Sequence, residues 1–327
     1  MAEIFDTLLL LALPASGKSE VRNFLTQKNP DLFHMGPTIQ IDDYPYVHFQ
    51  LLIDEELVKL GQPRIYHLED DKGGRNGPFI HSFDWPALIQ LLNADYHEIL
   101  TGKPENPEHA AKRLFEKLDA SAIAVGGHAR LSTLPADILK KLEEALEKDA
   151  REVFDAKIKH FPKNRDGHII VIEFARGGPA DANPLPKHYG YAGSLPWLSD
   201  ELLERAALLY VWVDPEESRR KNRERAVPGA DHTILFHGTP ESVMYQDYGR
   251  DDMIELRDKS DRENTLKLTT PAGKTHYVPI SVFDNRKDLT TFCRKDVKDW
   301  TEEEIKALDD GIRDAAISLW NQYKASR

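Results

Sequence analysis

The sequence contains almost no cysteine and no apolar run long enough to cross a membrane. Cys293 is the single cysteine among 327 residues, which excludes an intramolecular disulfide framework and a cysteine-rich zinc site and favours a reducing compartment. The apolar run at residues 8–13 follows acidic residues and is far shorter than the roughly 18 residues of a membrane span, so it does not fit a signal peptide or an anchor. No other run approaches that length. These features predict a cytoplasmic protein without membrane partners.

The sequence also has fewer basic than acidic residues. The chain has 43 basic and 55 acidic residues, for a formal net charge of −12. A field of this sign repels polyanions, so duplex nucleic acid and anionic membranes are disfavoured as partners. With 40% hydrophobic and 30% charged residues, the composition is typical of a folded globular protein. We expect a single domain spanning residues 1–327, with room for an inserted subdomain.

Short apolar runs bounded by polar or turn residues predict buried parallel strands. Five such runs occur: Thr7–Leu13, Thr38–Ile41, His168–Phe174, Leu208–Val213 and Val278–Phe283. Helical patterns lie between them, which is typical of an α/β protein whose sheet is covered on both faces. We therefore predict an α/β fold with a five-stranded parallel sheet flanked by helices.

Two helices have clear starting signals. Asp214 and Pro215 form an N-cap followed by proline at the first helical position. Thr301 and Glu304 have the spacing of a capping box, and they precede a long stripe of apolar residues. Helices are therefore expected to begin at these two points.

The connection between the second and third strands is unusually long, at roughly 125 residues. Helical patterns occupy about 84–100, 107–119 and 136–160 within it. We predict a helical insertion over residues 54–165 that covers the carboxyl ends of the strands. The alternative is that these helices only add packing.

A loop after the first strand has most of a phosphate-binding sequence. The template G-x-x-x-x-G-K-[ST] is matched at its last three positions, with Ala12 in place of the first glycine. A glycine lets backbone N–H groups approach phosphate oxygens, a lysine neutralises the β and γ phosphates, and a hydroxyl coordinates Mg²⁺. The nucleotide is expected to bind against seven residues: Pro14, Ala15, Ser16, Gly17, Lys18, Ser19 and Glu20.

A second glycine-lysine-hydroxyl triplet provides an internal control. Gly273, Lys274 and Thr275 lie between two predicted strands, so "PAGK" is typical of a hairpin turn. No helix begins there to direct its N-terminus at a ligand. We predict no phosphate binding at this second triplet.

The segment "ALPASGKSE" resembles the loop of small P-loop kinases, particularly the group of polynucleotide kinases, zeta toxins and gluconate kinases. The resemblance implies a P-loop NTPase fold and an ATP- and Mg²⁺-dependent transfer of the γ-phosphate to a hydroxyl. The other partner would be a small-molecule or nucleotide acceptor, with the helical insertion forming the acceptor-side cap. In this group the second strand ends in Asp-Asp-Tyr, whose first aspartate accepts the proton of the acceptor hydroxyl. That role falls on Asp42 in "IQIDDYP", although Pro45 stands where the group commonly has arginine.

Two further segments extend the resemblance. In "HIIVIEFARGG", Glu173 follows a buried run and takes the position of the Walker B acid that holds the magnesium shell. A salt bridge to a neighbouring basic residue is the alternative for Glu173. In "VDPEESRRKNRERAVPGAD", the resemblance implies a lid over residues 215–260, in which Arg219 and Arg223 share one helix face and contact the triphosphate. A merely solvated basic helix is the alternative.

Two other functions remain open at this point. "VFDNRKD" is close to the guanine-reading Asn-Lys-x-Asp motif, with Arg286 in place of lysine, so a GTP-type switch or hydrolase is one alternative. A degenerate nucleotide-binding interaction module is the other, because Ala12 and Pro45 depart from the kinase pattern.

Overall fold

The computed structural model describes residues 3–26, 33–70, 77–225 and 238–327, without the side chains of His160 and Arg225. The predicted insertion therefore contains a segment outside the described residues, 71–76. The predicted lid contains another, 226–237.

The described residues form a mixed six-stranded sheet with the order β2-β3-β1-β4-β6-β5. Its strands are β1 Thr7–Leu11, β2 Thr38–Asp42, β3 Ile169–Phe174, β4 Ala206–Trp212, β5 Thr265–Thr269 and β6 Thr275–Asp284. All neighbouring pairs are parallel except β5 and β6, which are antiparallel. The α/β class is confirmed, but the prediction of five parallel strands is wrong. Strand β5 was expected only as one flank of the hairpin at Gly273 and was not counted in the sheet. Its residues alternate between buried and partly or fully exposed positions, whereas the sheet prediction relied on continuous apolar runs.

Eleven α-helices lie in the described part of the chain. They are α1 Lys18–Thr26, α2 Tyr44–Lys59, α3 Asp84–Thr101, α4 Ala110–Ala124, α5 Ala136–His160, α6 Gly190–Ser194, α7 Asp200–Leu203, α8 Pro215–Arg225, α9 Glu241–Gln246, α10 Met253–Asp258 and α11 Glu302–Ala325. Helix α8 begins at Pro215 as predicted, and Thr301 and Glu304 form the predicted capping box of α11. Among the described helices, none combines the length and apolar character needed to cross a bilayer.

The sheet has an apolar layer on each face. Side chains of α1 and α11, such as Val21, Leu308 and Leu319, pack against one face of the central strands. Residues of α3 and α10, such as Leu92 and Met253, pack against the other. Every residue of β1 and β3 is buried. The sequences of these strands are therefore mostly apolar throughout and do not alternate between apolar and polar residues.

Helices α2–α5 form a third core between β2 and β3 in the chain. Tyr46, Phe49, Ile53 and Leu57 of α2 lie at helical spacing and contribute to it. Three of these helices also stand beside the edge strand β2 and enclose a cavity with it. The helical insertion thus contributes both a core of its own and a wall of the region described next.

Candidate functional site

The loop between β1 and α1 is tightly wound. Ala15 and Gly17 have left-handed backbones, with φ of +56° and +96°, whereas Ala12 does not. A Cβ on Gly17 would lie 2.4 Å from Oγ1 of Thr290, so both conformation and space require glycine there. Alanine at position 12 is therefore compatible with the backbone of this loop.

Side chains from outside the loop hold its carbonyl groups. Nδ2 of Asn285 donates to the carbonyl oxygen of Ser16 at 2.8 Å, and Oγ of Ser218 donates to that of Pro14 at 2.7 Å. In a trans peptide the next N–H points away from the carbonyl. The N–H of Ala15 is therefore directed away from Ser218 and that of Gly17 away from Asn285, so neither side chain competes with a ligand for these two donors.

Helix α1 places three predicted residues in its first turn. Nζ of Lys18 donates to the carbonyl oxygens of Ala12 and Leu13, at 3.3 and 3.4 Å. Ser19 follows it and is half-buried, while the carboxylate of Glu20 pairs with Nε of Arg294 at 2.7 Å. The first N–H groups of a helix have no partner within the helix and carry a partial positive charge. The loop and this turn together can bind an anion.

Two acidic side chains lie at the same edge of the sheet. Asp42 of β2 is paired in register with Glu173 of β3, and Glu173 is paired in turn with Leu10 of β1. Neighbouring strands are about 4.8 Å apart, so the backbone of Asp42 lies roughly 10 Å from the end of β1. The order β2-β3-β1 thus brings Asp42, Glu173 and the β1–α1 loop together at the carboxyl edge.

Glu173 is buried, with 7% of its surface exposed, and it forms an ion pair with Arg22. Hydroxyl and carboxylate oxygens are the ligands that Mg²⁺ prefers, so Ser19 and Glu173 have suitable chemistry. In the described part of the chain, no three or more His, Cys, Asp or Glu side chains form a metal-ion site. A magnesium ion here would therefore depend on oxygens of its nucleotide as well as on the protein.

Asp42 has an unusual protonation equilibrium. Burial, followed by the neighbouring charge of Asp43, raises the pKa of its carboxyl to about 6. The backbone N–H of Tyr44 donates to Oδ1 of Asp42 at 3.1 Å and acts in the opposite direction. A carboxylate with a pKa close to neutrality can accept a proton from a hydroxyl and release it again.

Arg176 holds the residue next to Asp42. Its guanidinium is 1% exposed, and Nη1 pairs with Oδ2 of Asp43 at 2.7 Å. The same side chain donates to Oγ of Ser194 at 3.0 Å and packs on the rings of Trp85 and Phe174. This buried network fixes the end of β2 and the start of α2.

The predicted lid arginines lie on α8 and face the 238–249 segment. The guanidinium of Arg219 lies over the ring of Tyr245, 4.6 Å from its centroid, and Arg223 pairs with Glu241 at 3.8 Å. Both arginines line a cavity of about 280 Å³. In this conformation the two arginines contact α9 and the carbonyl oxygen of Gly249, while Ser218 of the same helix donates to the β1–α1 loop.

The segment with the partial guanine-reading motif has a structural role. Asn285 is fully buried, and besides holding Ser16 it accepts from the N–H of Leu289 at 2.7 Å. Oδ1 of Asp288 pairs with Nζ of the buried Lys221 at 2.6 Å. These contacts tie α8 and the 285–290 segment to the β1–α1 loop.

A cavity of about 470 Å³ opens beside Asp42. It lies between the edge strand β2 and helices α2, α3 and α5, and residues Phe161 and Pro162 complete its lining. Its polar side chains include Asp95 and Lys157, which form an ion pair at 2.5 Å. The cavity thus connects the predicted acceptor-side carboxylate with the helical insertion.

The control triplet is a hairpin, as predicted. Gly273 has φ of +85° between the antiparallel strands β5 and β6, and its N–H donates to the carbonyl of Thr270 at 2.8 Å. Lys274 pairs with Glu204, the residue that follows α7. This triplet does not begin a helix and is not part of the site.

Sequence reasoning missed two side chains of the site and misassigned a third. Arg22 follows Lys18 by four residues on α1, so helical spacing could have placed it near the site. Ser218 carried no signal, because a serine in a charged helix is common. Asn285 was considered only as a base-reading residue, whereas it holds the loop backbone.

Comparisons of the chain with protein-family models, with curated proteins and with solved structures found no match in any of the three.

Proposed function

We propose that this chain is a P-loop phosphotransferase that moves the γ-phosphate of ATP to a hydroxyl group. The observation that carries the proposal is the arrangement of one sheet edge. Lys18 and Ser19 begin the helix after a buried central strand. On one side of that strand, Asp42 is the last residue of β2 and Glu173 the penultimate residue of β3. Parallel α/β sheets bind their ligands at this carboxyl edge.

The nucleotide phosphates would bind in the β1–α1 loop. The N–H groups of Ala15 and Gly17 supply dipoles, and the ammonium of Lys18 would leave the carbonyls of the loop for the phosphate oxygens. Mg²⁺, when bound, would neutralise charge on those oxygens, with Ser19 as its protein ligand and Glu173 beside it.

Asp42 is the residue that would act on the acceptor. Its carboxylate would accept a hydrogen bond from the acceptor hydroxyl and take the proton as the phosphoryl group is transferred. The 470 Å³ cavity next to it offers enough space for a small molecule. Positioning and charge stabilisation would supply most of the catalysis.

The contacts of Asp288 favour ATP over GTP. A guanine-reading aspartate must offer its carboxylate to the base, whereas Asp288 pairs with both Lys221 and Arg220. Asn285 is likewise engaged with Ser16 and Thr290. A GTP-type switch would have to break these contacts, so we expect ATP to bind more tightly than GTP.

Transfer of labelled γ-phosphate from ATP into a small-metabolite extract tests this function. With Mg²⁺ present, wild-type protein should yield a labelled product, and Asp42→Asn should reduce its formation at least about a hundredfold. Equal release of free phosphate by both proteins, without a labelled product, would favour a hydrolase. Nucleotide binding with neither transfer nor hydrolysis would favour an interaction module.

A further inference from the structure

The cavity beside Asp42 has an excess of negative charge. Three carboxylates line it, from Asp42, Asp95 and Glu98. Lys157 is the one cationic residue among the described residues of its lining. With all four groups ionised, the lining carries a net charge of −2 in a partly enclosed space, where the field of fixed charges is stronger than on an open surface.

The single cation is already engaged. Nζ of Lys157 pairs with Oδ1 of Asp95 at 2.5 Å and also donates to the hydroxyl of Tyr46. That hydroxyl donates to both carboxylate oxygens of Asp95, at 2.7 Å each. An anionic ligand on Lys157 would compete with Asp95 for its ammonium group and would itself lie close to the carboxylates of Asp95 and Glu98, which is unfavourable.

Glu98 completes the acidic wall. It accepts from the N–H of Glu105 at 3.2 Å and from Nζ of Lys117 at 3.4 Å. Lys117 does not line the cavity, and it also pairs with Glu105. The remaining wall is largely aliphatic and aromatic, from residues such as Ile39, Ile99, Val153 and Phe161.

We propose that this cavity selects a hydroxyl compound that carries an ammonium group and no negative charge. The carboxylates favour a cation, while the apolar wall would contact the hydrocarbon part of such a ligand. Phosphorylated sugars, nucleotides and hydroxy acids would meet three carboxylates and a single cation that is already paired with one of them. As an assignment of the phosphate acceptor, the inference rests on the function proposed above.

The charge of the cavity can be measured without any enzymatic assay. Ala156 lines the cavity on the exposed side of α5, so Ala156→Cys in a Cys293→Ser background places a thiol there. Its reaction rates with a trimethylammonium-ethyl and a sulfonate-ethyl methanethiosulfonate would be compared. Ala120→Cys, on an exposed position of another insertion helix, is the matched control, and Val153→Cys is a second cavity position.

We expect the ratio of cationic to anionic rates to be about tenfold higher in the cavity than at the control site. Glu98→Gln in the same background should lower that ratio, since the amide carries no charge. Its one carbonyl oxygen can keep one of the two hydrogen bonds that Oε1 and Oε2 of Glu98 accept separately. A ratio equal to or below that of Ala120→Cys at both cavity positions would overturn the proposal.

A transfer assay with defined acceptors then tests selection. Mixtures of amino sugars and amino alcohols, of neutral polyols, and of sugar phosphates would each be offered with labelled ATP and Mg²⁺. Faster labelling of the amino compounds supports the proposal, and faster labelling of either other mixture overturns it while leaving the phosphotransferase function intact. A cationic preference in thiol labelling with no transfer at all would instead contradict the phosphotransferase function and support the charge assignment.

Discussion

At the residue scale, the charges around Asp42 set the pKa of its carboxyl group and so its suitability as a base. The negative charges of Asp43 and Glu173 act on its carboxylate, and the positive charge of Arg22 opposes them. Burial and the two acids raise its pKa, while Arg22 lowers it. The residue is thereby close to the protonation midpoint that suits a general base near neutral pH.

The pH dependence of transfer should follow this carboxyl. Because a base must be ionised, and the pKa of Asp42 is about 6, kcat/KM should fall about tenfold per pH unit below roughly pH 6. Arg22→Met removes the cation that lowers this pKa, so the falling limb should move to higher pH. The measurement is kcat/KM between pH 5 and pH 8, and a rate independent of pH in this range would argue against Asp42 as the base.

Single residues also decide which positions of the β1–α1 loop require glycine. The template's first glycine is absent, but the left-handed positions of this loop are Ala15 and Gly17. Sequence matching alone treats every letter of a template as equal. The backbone shows that position 17 has both the steric and the conformational need for glycine, and that position 12 has no conformational need for it.

At the scale of elements, the β1–α1 loop depends on the 285–290 segment and on α8. Asn285 is fully buried and makes hydrogen bonds to Ser16, Leu289 and Thr290. The loop that would bind phosphate is therefore preorganised by a distant segment of the chain, since Asn285 and Ser16 are 269 residues apart.

Asn285→Ala should loosen this loop. Loss of a buried side chain with three hydrogen bonds should lower the free energy of unfolding by about 2 kcal/mol or more, and ATP affinity should weaken as well. Urea denaturation and calorimetric titration measure the two effects. Asn321→Ala, at an exposed position of α11, is the matched control. Equal stability of the two variants would contradict the assigned role of Asn285.

Helix α8 carries two arginines that can be compared, one as the test position and the other as its control. Arg223 is largely exposed beside α9, whereas Arg220 is engaged with Glu217, Glu224 and Asp288. If Arg223 reaches the phosphates during transfer, Arg223→Ala should lower kcat about tenfold or more and change the Kd for ATP less than about threefold. Arg220→Ala should change kcat much less. A change confined to thermal stability in Arg223→Ala would make this helix face structural.

The elements also show where prediction from sequence succeeds. The buried strands β1 and β3 and the capping box at Thr301 were predictable because their patterns are local. Helix α2 was not among the predicted helical patterns, although Tyr46, Phe49 and Ile53 have helical spacing. Helical spacing could have placed Arg22 near the site, whereas the contacts of Ser218 and Asn285 could not be predicted, since they join segments that only the sheet order brings together.

At the scale of the whole molecule, the proposed nucleotide site lies at one edge of the sheet and the proposed acceptor site lies between that edge and the helical insertion. The β1–α1 loop faces α8 and the 285–290 segment, while Asp42 faces the cavity walled by α2, α3 and α5. The nucleotide would thus bind on the β1 side of β3, in the β1–α1 loop, and the acceptor on the β2 side, beside Asp42. This separation follows from the strand order β2-β3-β1.

The most direct test of the account is whether ATP binds in the β1–α1 loop, because every proposed step depends on it. Calorimetric titration of Mg²⁺–ATP into wild type, Lys18→Ala and Lys274→Ala uses the two glycine-lysine-hydroxyl triplets of the same chain as site and control. We expect Lys18→Ala to weaken binding at least about tenfold, or roughly 1.4 kcal/mol, and Lys274→Ala to bind like wild type. Absence of binding by the wild type, or an equal loss in both variants, would contradict the proposed nucleotide site.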